Sequence, residues 1–276
     1  MIRLASTRIG RLRDLGRRRF PRTYGRVFKR DRFVLSDEHL AWLETTSPDA
    51  RTQVNGRMFR YDRTLLPNEY LAQIDARSLD ARSAQAQTGL SIGYPAWNLL
   101  YYAVLCSLAP RDGEYVVVET GTNRGFSTIV LAQALKDSPA AGIVRTVDYD
   151  ANVVREAKEN LARAGLSEYV EFNVADTQHY LKRLVREVPQ IDFAFLDANH
   201  EFDFVRGEFE LVRPLVERAG GKVYLDNTSF GGVYQLLEYI LEQYGGNLIE
   251  FRNASWSPPG NAIWQPPGRH AHEVGA

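Results

Sequence analysis

Two aspartates close the runs IDFAFLD (191–197) and KVYLD (222–226), and around them stand the residues best suited to chemistry: Asp197, His200, Asp226 and Asn227. Both runs have the β-branched and aromatic make-up of strands. A single amphipathic stretch joins them, so the strands are expected to be neighbours and their closing carboxylates to emerge side by side. Two carboxylates and the amide oxygen of Asn227 make a hard, all-oxygen donor set suited to Mg²⁺ or a similar ion, with positions left for water and substrate. Such an ion polarises a hydroxyl and lowers its pKa. His200, at the start of the next helix and three residues after Asp197, can face the same cleft, and a reference imidazole pKa of about 6.5 suits a general base. The plainer alternative is that the aspartates cap turns and His200 merely opens a helix. Glu201 and Asp203 read as solvated first-turn acids that complement the helix dipole.

A second constellation follows the run YVVVE (115–119): Glu119, Thr120, Gly121, Thr122, Asn123, Arg124, Gly125, Phe126, Ser127. Glycines at a strand-to-helix turn let the backbone bend sharply and let a ligand lie against it. A dinucleotide site would place a pyrophosphate here, and Glu119 would repel it. S-adenosylmethionine instead brings a sulfonium and an ammonium, which a carboxylate favours. Asp148, ending IVRTVD (143–148), is placed to accept hydrogen bonds from a ribose diol. Asp176 can read an adenine amino group or cap the helix beginning at Thr177. The expected cofactor set is therefore Glu119, Gly121, Thr122, Asn123, Gly125, Ser127, Asp148 and Asp176.

These residues need a scaffold that gathers strand ends along one edge. From Tyr115 onward, short β-rich runs, including YVEFNV (169–174), alternate with the amphipathic stretches STIVLAQALKD, ANVVREAKENLARAG, TQHYLKRLVREV and FDFVRGEFELVRPLVERAG. This βαβα order predicts an α/β fold with a parallel sheet covered on both faces. A further helix, VYQLLEYILEQYG, and the runs NLIEFRN and NAIWQP about the turn SPPG predict a terminal antiparallel pair. PAWNLLYYAVLCSLA (95–109) reads as an apolar helix leading into the first strand. Residues 1–90 are expected to form a basic N-terminal extension and cap with weak helices such as DEHLAWLE and NEYLAQIDARSL, residues 91–265 the main domain, and residues 266–276 a disordered tail.

The chain has 276 residues, 25% of them charged, and a formal net charge of zero, so no overall field recruits nucleic acid or membrane. Charge is uneven, however: an Arg-rich arm runs from Arg3 to Arg30 against Asp14 alone. That arm could grip RNA or an anionic acceptor, but a solvated, partly disordered arm or a homo-oligomerisation element is the expected reading, and its composition also suits a transit peptide. One cysteine, Cys106, excludes an intramolecular disulfide framework. No run approaches the ~20 apolar residues of a membrane span, so a soluble, cytoplasmic protein is expected. Tyr94, Trp97, Phe230, Trp256 and Trp264 could wall the ligand edge, with Phe230 and Trp256 the candidates for substrate contact.

Taken together, VVETGTNRGFST, VDYD and FLDANHEFDFVRGEFELVRPLVERAGGKVYLDNTSFGG resemble the motifs of class I S-adenosylmethionine-dependent methyltransferases, and within them the metal-dependent O-methyltransferases. The resemblance covers roughly residues 90–265. It implies a Rossmann-like, mostly parallel seven-stranded sheet of order 3-2-1-4-5-7-6 with an antiparallel last strand, and places Glu119, Gly121 and Ser127 around the methionine part of the cofactor. Asn123 departs from the pattern, which usually has a glycine there. His200 stands where the catechol and caffeoyl-CoA branch typically has a Lys, and in this is similar to the branch that methylates sugars of macrolide antibiotics. The expectation is a Mg²⁺-assisted O-methyltransferase acting on a glycosyl or phenolic hydroxyl of a small molecule. Its rivals are a nucleic-acid or protein methyltransferase using the Arg arm and a cofactor-binding scaffold without activity.

Overall fold

The computed structural model describes residues 53–54, 57–58, 68–77, 87–88, 97–108, 113–138, 141–251 and 260–267. Seven strands form the central sheet: β1 (Tyr115–Thr120), β2 (Gly142–Asp148), β3 (Val170–Val174), β4 (Phe193–Leu196), β5 (Lys222–Asp226), β6 (Asn247–Phe251) and β7 (Asn261–Gln265). Their order is β3-β2-β1-β4-β5-β7-β6. The first five pair in parallel, while β7 runs antiparallel to both β5 and β6. The expected Rossmann-like fold, with its antiparallel last strand, is the one observed. A two-residue ribbon, Gln53–Val54 with Arg57–Met58, lies outside this sheet.

Helices α1 (Glu69–Arg77), α2 (Trp97–Leu105), α3 (Phe126–Asp137), α4 (Ala151–Arg163), α5 (Thr177–Glu187), α6 (Phe202–Ala219) and α7 (Gly231–Gln243) surround the strands. Side chains on a strand alternate between faces, so one strand feeds two cores. Val117, Phe193, Phe195 and Tyr224 pack with α2 and α3 on one side, and Val116, Val118, Ala194, Leu196 and Leu225 with α5, α6 and α7 on the other. Coverage of both faces explains why these strands are continuously apolar rather than alternating.

The helical extension is partly seen in α1, which docks Tyr70 on Phe126, ring centroids 6.4 Å apart, and bonds Asn160 through the Tyr70 hydroxyl. The Arg arm, DEHLAWLE, Tyr94, Trp256 and the tail 268–276 lie outside the described residues. Among the described residues no helix is long and apolar enough to cross a membrane.

Two of the aromatics expected at the ligand edge are core residues instead. Trp97 and Trp264 are completely buried. Trp264 meets Phe209 edge-on at 5.2 Å and donates its indole N–H to the Gly245 carbonyl at 2.8 Å. Both sit where the sheet and its helices close over apolar volume, which spacing along the chain does not reveal. Trp264→Ala should cost about 3–5 kcal/mol of unfolding free energy, measured by urea denaturation; a loss below ~1 kcal/mol would contradict this packing.

Candidate active site at the carboxyl edge of the sheet

The turn after β1 bends because Gly121 (φ 84°), Asn123 (φ 45°) and Gly125 (φ 79°) all adopt left-handed backbone. A side chain on Gly121 would strike the Asp197 carbonyl at 2.6 Å, so only glycine lets the loop lie against the end of β4. Asn123 departs from the glycine pattern without penalty, since Asn tolerates this region better than other side-chain-bearing residues. Its backbone N–H donates to Asp148 Oδ2 at 2.9 Å, while Asp150 N–H donates to Oδ1 at 3.0 Å. Asp148 is thus fixed as an acceptor at the end of β2, where it lines the cavity.

A cavity of about 240 Å³ opens beside this loop, lined by Gly121, Asn123, Ser127, Asp148, Tyr149, Asp150, Val153, Asp197 and Ala198. Among the described residues, three carboxylates and no Lys or Arg face it. Arg124 turns away, donating to Glu156 at 2.6 Å. Such a lining favours a cationic ligand and repels pyrophosphate. Its glycine backbone, paired acceptors on Asp148 and the adjacent Tyr149 suit an adenosine bearing a positive charge.

Four expected cofactor residues, Glu119, Thr122, Gly125 and Asp176, stand behind the cavity or beside it, Gly125 lying so close to Ala157 that a side chain on it would meet the Ala157 methyl at 2.9 Å. Glu119 is fully buried beneath the loop and accepts from Ser127 Oγ at 2.6 Å, Thr128 Oγ1 at 2.5 Å and Thr146 Oγ1 at 2.7 Å. Burial pushes its carboxyl up to about 7 against these three donors, with nearby Asp197 adding to the rise. Through Ser127 it sets one wall of the cavity rather than forming it. Thr122 is buried and bonded to Thr146. Asp176 caps α5, accepting from His179 N–H at 2.8 Å, and does not line the cavity.

Asp197 and Asp226 do emerge side by side, since Leu196 and Leu225 pair in register immediately before them. Asn227, at φ 58°, directs its amide nitrogen to Asp197 Oδ1 at 3.0 Å, His200 Nε2 at 2.9 Å and Asp226 Oδ2 at 3.3 Å. Three acceptors thus converge on one donor. Turned about its last bond, the Asn227 amide would present oxygen to the same point. Asp226 is buried, and burial, with repulsion from Asp197, drives its carboxyl well above the usual carboxylate range. A cation at this point would relieve both effects. Among the described residues no three His, Cys, Asp or Glu side chains form a metal cluster. Two carboxylates and one amide fit an ion that retains several waters, as Mg²⁺ does.

His200 lies in the loop between β4 and α6 rather than on the helix itself, which begins at Phe202. Its Nε2 is 3.3 Å from Asp197 Oδ1, and Phe230 stacks on its ring at 4.7 Å and 17°. Phe230 remains 42% exposed, leaving surface for another ligand. Glu201, the first-turn acid, sits at the N-cap without a side-chain bond, and Asp203 pairs with Arg206.

Sequence reasoning missed Thr146, Tyr149, Asp150, Glu208 and Asn261. Thr146 was within reach, because two positions before Asp148 on a strand means the same face. Glu208, interior to α6, accepts from Thr120 Oγ1 at 3.2 Å directly behind the loop.

Residues 118–228 match a family model described as a methyltransferase domain. A catechol O-methyltransferase of Niastella koreensis is 31% identical over 105 residues, 34% of this chain and 46% of that protein. The matched regions of the first curated relatives span 46% and 63% of their length. In structure, the chain is similar to the O-methyltransferase TomG of Streptomyces achromogenes, solved with S-adenosylmethionine (SAM), at TM-score 0.57 and 22% identity, covering 74% of this chain and 92% of that one. It is also similar to an O-methyltransferase of Bacillus cereus, solved with SAH, at TM-score 0.56 and 19% identity, covering 82% and 100%.

Burial pushes the Glu208 carboxyl up to about 7. A carboxyl raised on folding contributes its stability below the unfolded-chain value, and that contribution is lost as pH climbs through about 7. Glu208→Gln should therefore remove up to about 3 kcal/mol of the ligand-free protein's loss between pH 5 and 8, seen as a flatter Tm profile; parallel profiles would refute it. Residues 118–228 are thus similar to the methyltransferase-domain family, and the chain has the Rossmann-like fold seen in these two solved O-methyltransferases.

Proposed function

We propose that this protein transfers the methyl group of S-adenosylmethionine to a hydroxyl of a small molecule, a glycosyl or phenolic natural product, assisted by a Mg²⁺-type ion at Asp197, Asp226 and Asn227. One observation carries the reading: Asp197 belongs to both halves of the site. It lines the cavity beside Gly121 and Asp148, and it also meets His200 and Asn227. A single carboxylate shared between the two halves keeps a methyl donor and an acceptor oxygen adjacent, as transfer requires.

The residues divide the work as follows. Gly121, Asn123, Asp148 and Ser127 seat the cofactor, whose sulfonium supplies an electrophilic methyl. Asp197, Asp226 and Asn227 would hold the ion, which when bound lowers the pKa of the acceptor hydroxyl. His200 Nε2 accepts from the Asn227 amide, so in that arrangement its lone pair is free of a proton. An acceptor hydroxyl replacing this amide donor gives its proton to Nε2, and Asp197 Oδ1 stabilises the imidazolium that results. The oxygen then forms its bond to the methyl carbon as the carbon–sulfur bond breaks and the electron pair stays on sulfur. Phe230 keeps the imidazole in plane and offers its remaining surface to the acceptor.

Labelled methyl donor and a panel of hydroxylated metabolites test the reading, combined with calorimetric titration of the donor with and without Mg²⁺. Chelation should abolish transfer and Mg²⁺ restore it. Asp197→Ala should abolish the Mg²⁺ response. His200→Ala should lower kcat by ~10²–10⁴-fold with donor affinity retained. Transfer that survives chelation removes the ion from the proposal, unchanged kcat in His200→Ala removes the base, and donor binding without transfer to any acceptor leaves only a scaffold.

A further inference from the structure

The carboxylate of Asp226 is held from two sides, and only one of them belongs to the Asp-Asn pair that carried the sequence reading. Opposite Asn227 stands Asn261, the first residue of β7 and the register partner of Asp226 across the antiparallel ladder. Its amide nitrogen donates to Asp226 Oδ1, while the Asn227 amide donates to Oδ2 at 3.3 Å. Asn261 is completely buried, and its own amide oxygen has no hydrogen-bond partner among the described residues. An orphaned buried acceptor is costly, so the amide must be kept for what its nitrogen does.

Delivery of this amide is built into the chain. Gly260, at φ 108°, passes so close to Thr228 Oγ1 that no side chain fits, and Thr228 N–H donates to the Gly260 carbonyl at 3.1 Å. The start of β7 is thereby stitched to the loop after β5. The choice of an amide matters as well. A Lys or Arg here would neutralise Asp226 and compete with a cation, whereas a neutral donor orients the carboxylate and leaves its charge available.

We propose that Asn261 is a positioning residue of the cation site, fixing the rotation of the Asp226 carboxylate so that Oδ2 faces Asp197 and Asn227. This inference rests on the ion proposed above.

Mn²⁺ binding followed by electron paramagnetic resonance tests it, with S-adenosylmethionine affinity measured alongside because the cofactor half of the site does not involve Asn261. Asn261→Leu, which keeps the volume and removes the donor, should weaken Mn²⁺ binding ~10- to 100-fold and change cofactor affinity less than ~3-fold. If the wild type binds Mn²⁺ and Asp226→Asn abolishes it, but Asn261→Leu binds as tightly as wild type, the inference fails and the ion stands. If the wild type binds no Mn²⁺, both fail. Should Asn261→Leu lose the cofactor as well, the wild-type NMR signal of the Asn261 amide protons decides: a shift on adding Mg²⁺ supports the role, and an unmoved signal overturns it.

Discussion

The structure depends on gathering buried negative charge at one sheet edge without, among the described residues, a positively charged side chain to answer it. Glu119, Asp197, Asp226 and Glu208 lie within this region, and their partners are hydroxyls, amides and one imidazole. Neutral donors orient a carboxylate but do not cancel it. Burial therefore pushes Glu119, Glu208 and Asp226 upward in pKa, and the site favours whatever brings positive charge. In the function proposed above, a sulfonium cofactor and a hard cation would each do so, at different groups.

The fold makes this concentration possible by division of labour. Parallel strands buried on both faces supply a rigid, apolar platform, and their carboxyl ends open in register. Side chains one residue past the register pair Leu196 and Leu225 are forced to emerge together. Tight glycine turns then bring backbone against backbone, as at Gly121 over Asp197. Asp197 stands where these contacts meet, lining the cavity and accepting from Asn227.

Rigidity is not uniform around the cleft. Glu119, Thr122 and Asp226 are buried and multiply bonded, whereas Tyr149 is 82% exposed and Phe230 42%. The groups that set charge are thus enclosed, and the aromatic groups at the rim present open surface to a ligand. Such an arrangement separates electrostatic preorganisation from recognition of a particular acceptor.

Much of this was legible in the residue order. Alternating β-rich and amphipathic runs dictate a parallel, doubly covered sheet, and an Asp closing each of two successive strands dictates paired carboxylates, because short right-handed crossovers leave few other topologies. The sign of Glu119 pointed to a cationic cofactor rather than a dinucleotide, but in the fold the carboxylates that line the cavity are Asp148, Asp150 and Asp197. Other features awaited the folded chain. That Glu119 acts from beneath Ser127, that Trp97 and Trp264 fill the core, and that Asp176 serves α5 rather than the cavity wall all depend on which face closes over which. Asn261 carries no local signal whatever: its meeting with Asp226 follows from the register of an antiparallel strand arriving from 35 residues away, and register is decided by how whole faces bury, not by neighbours in sequence.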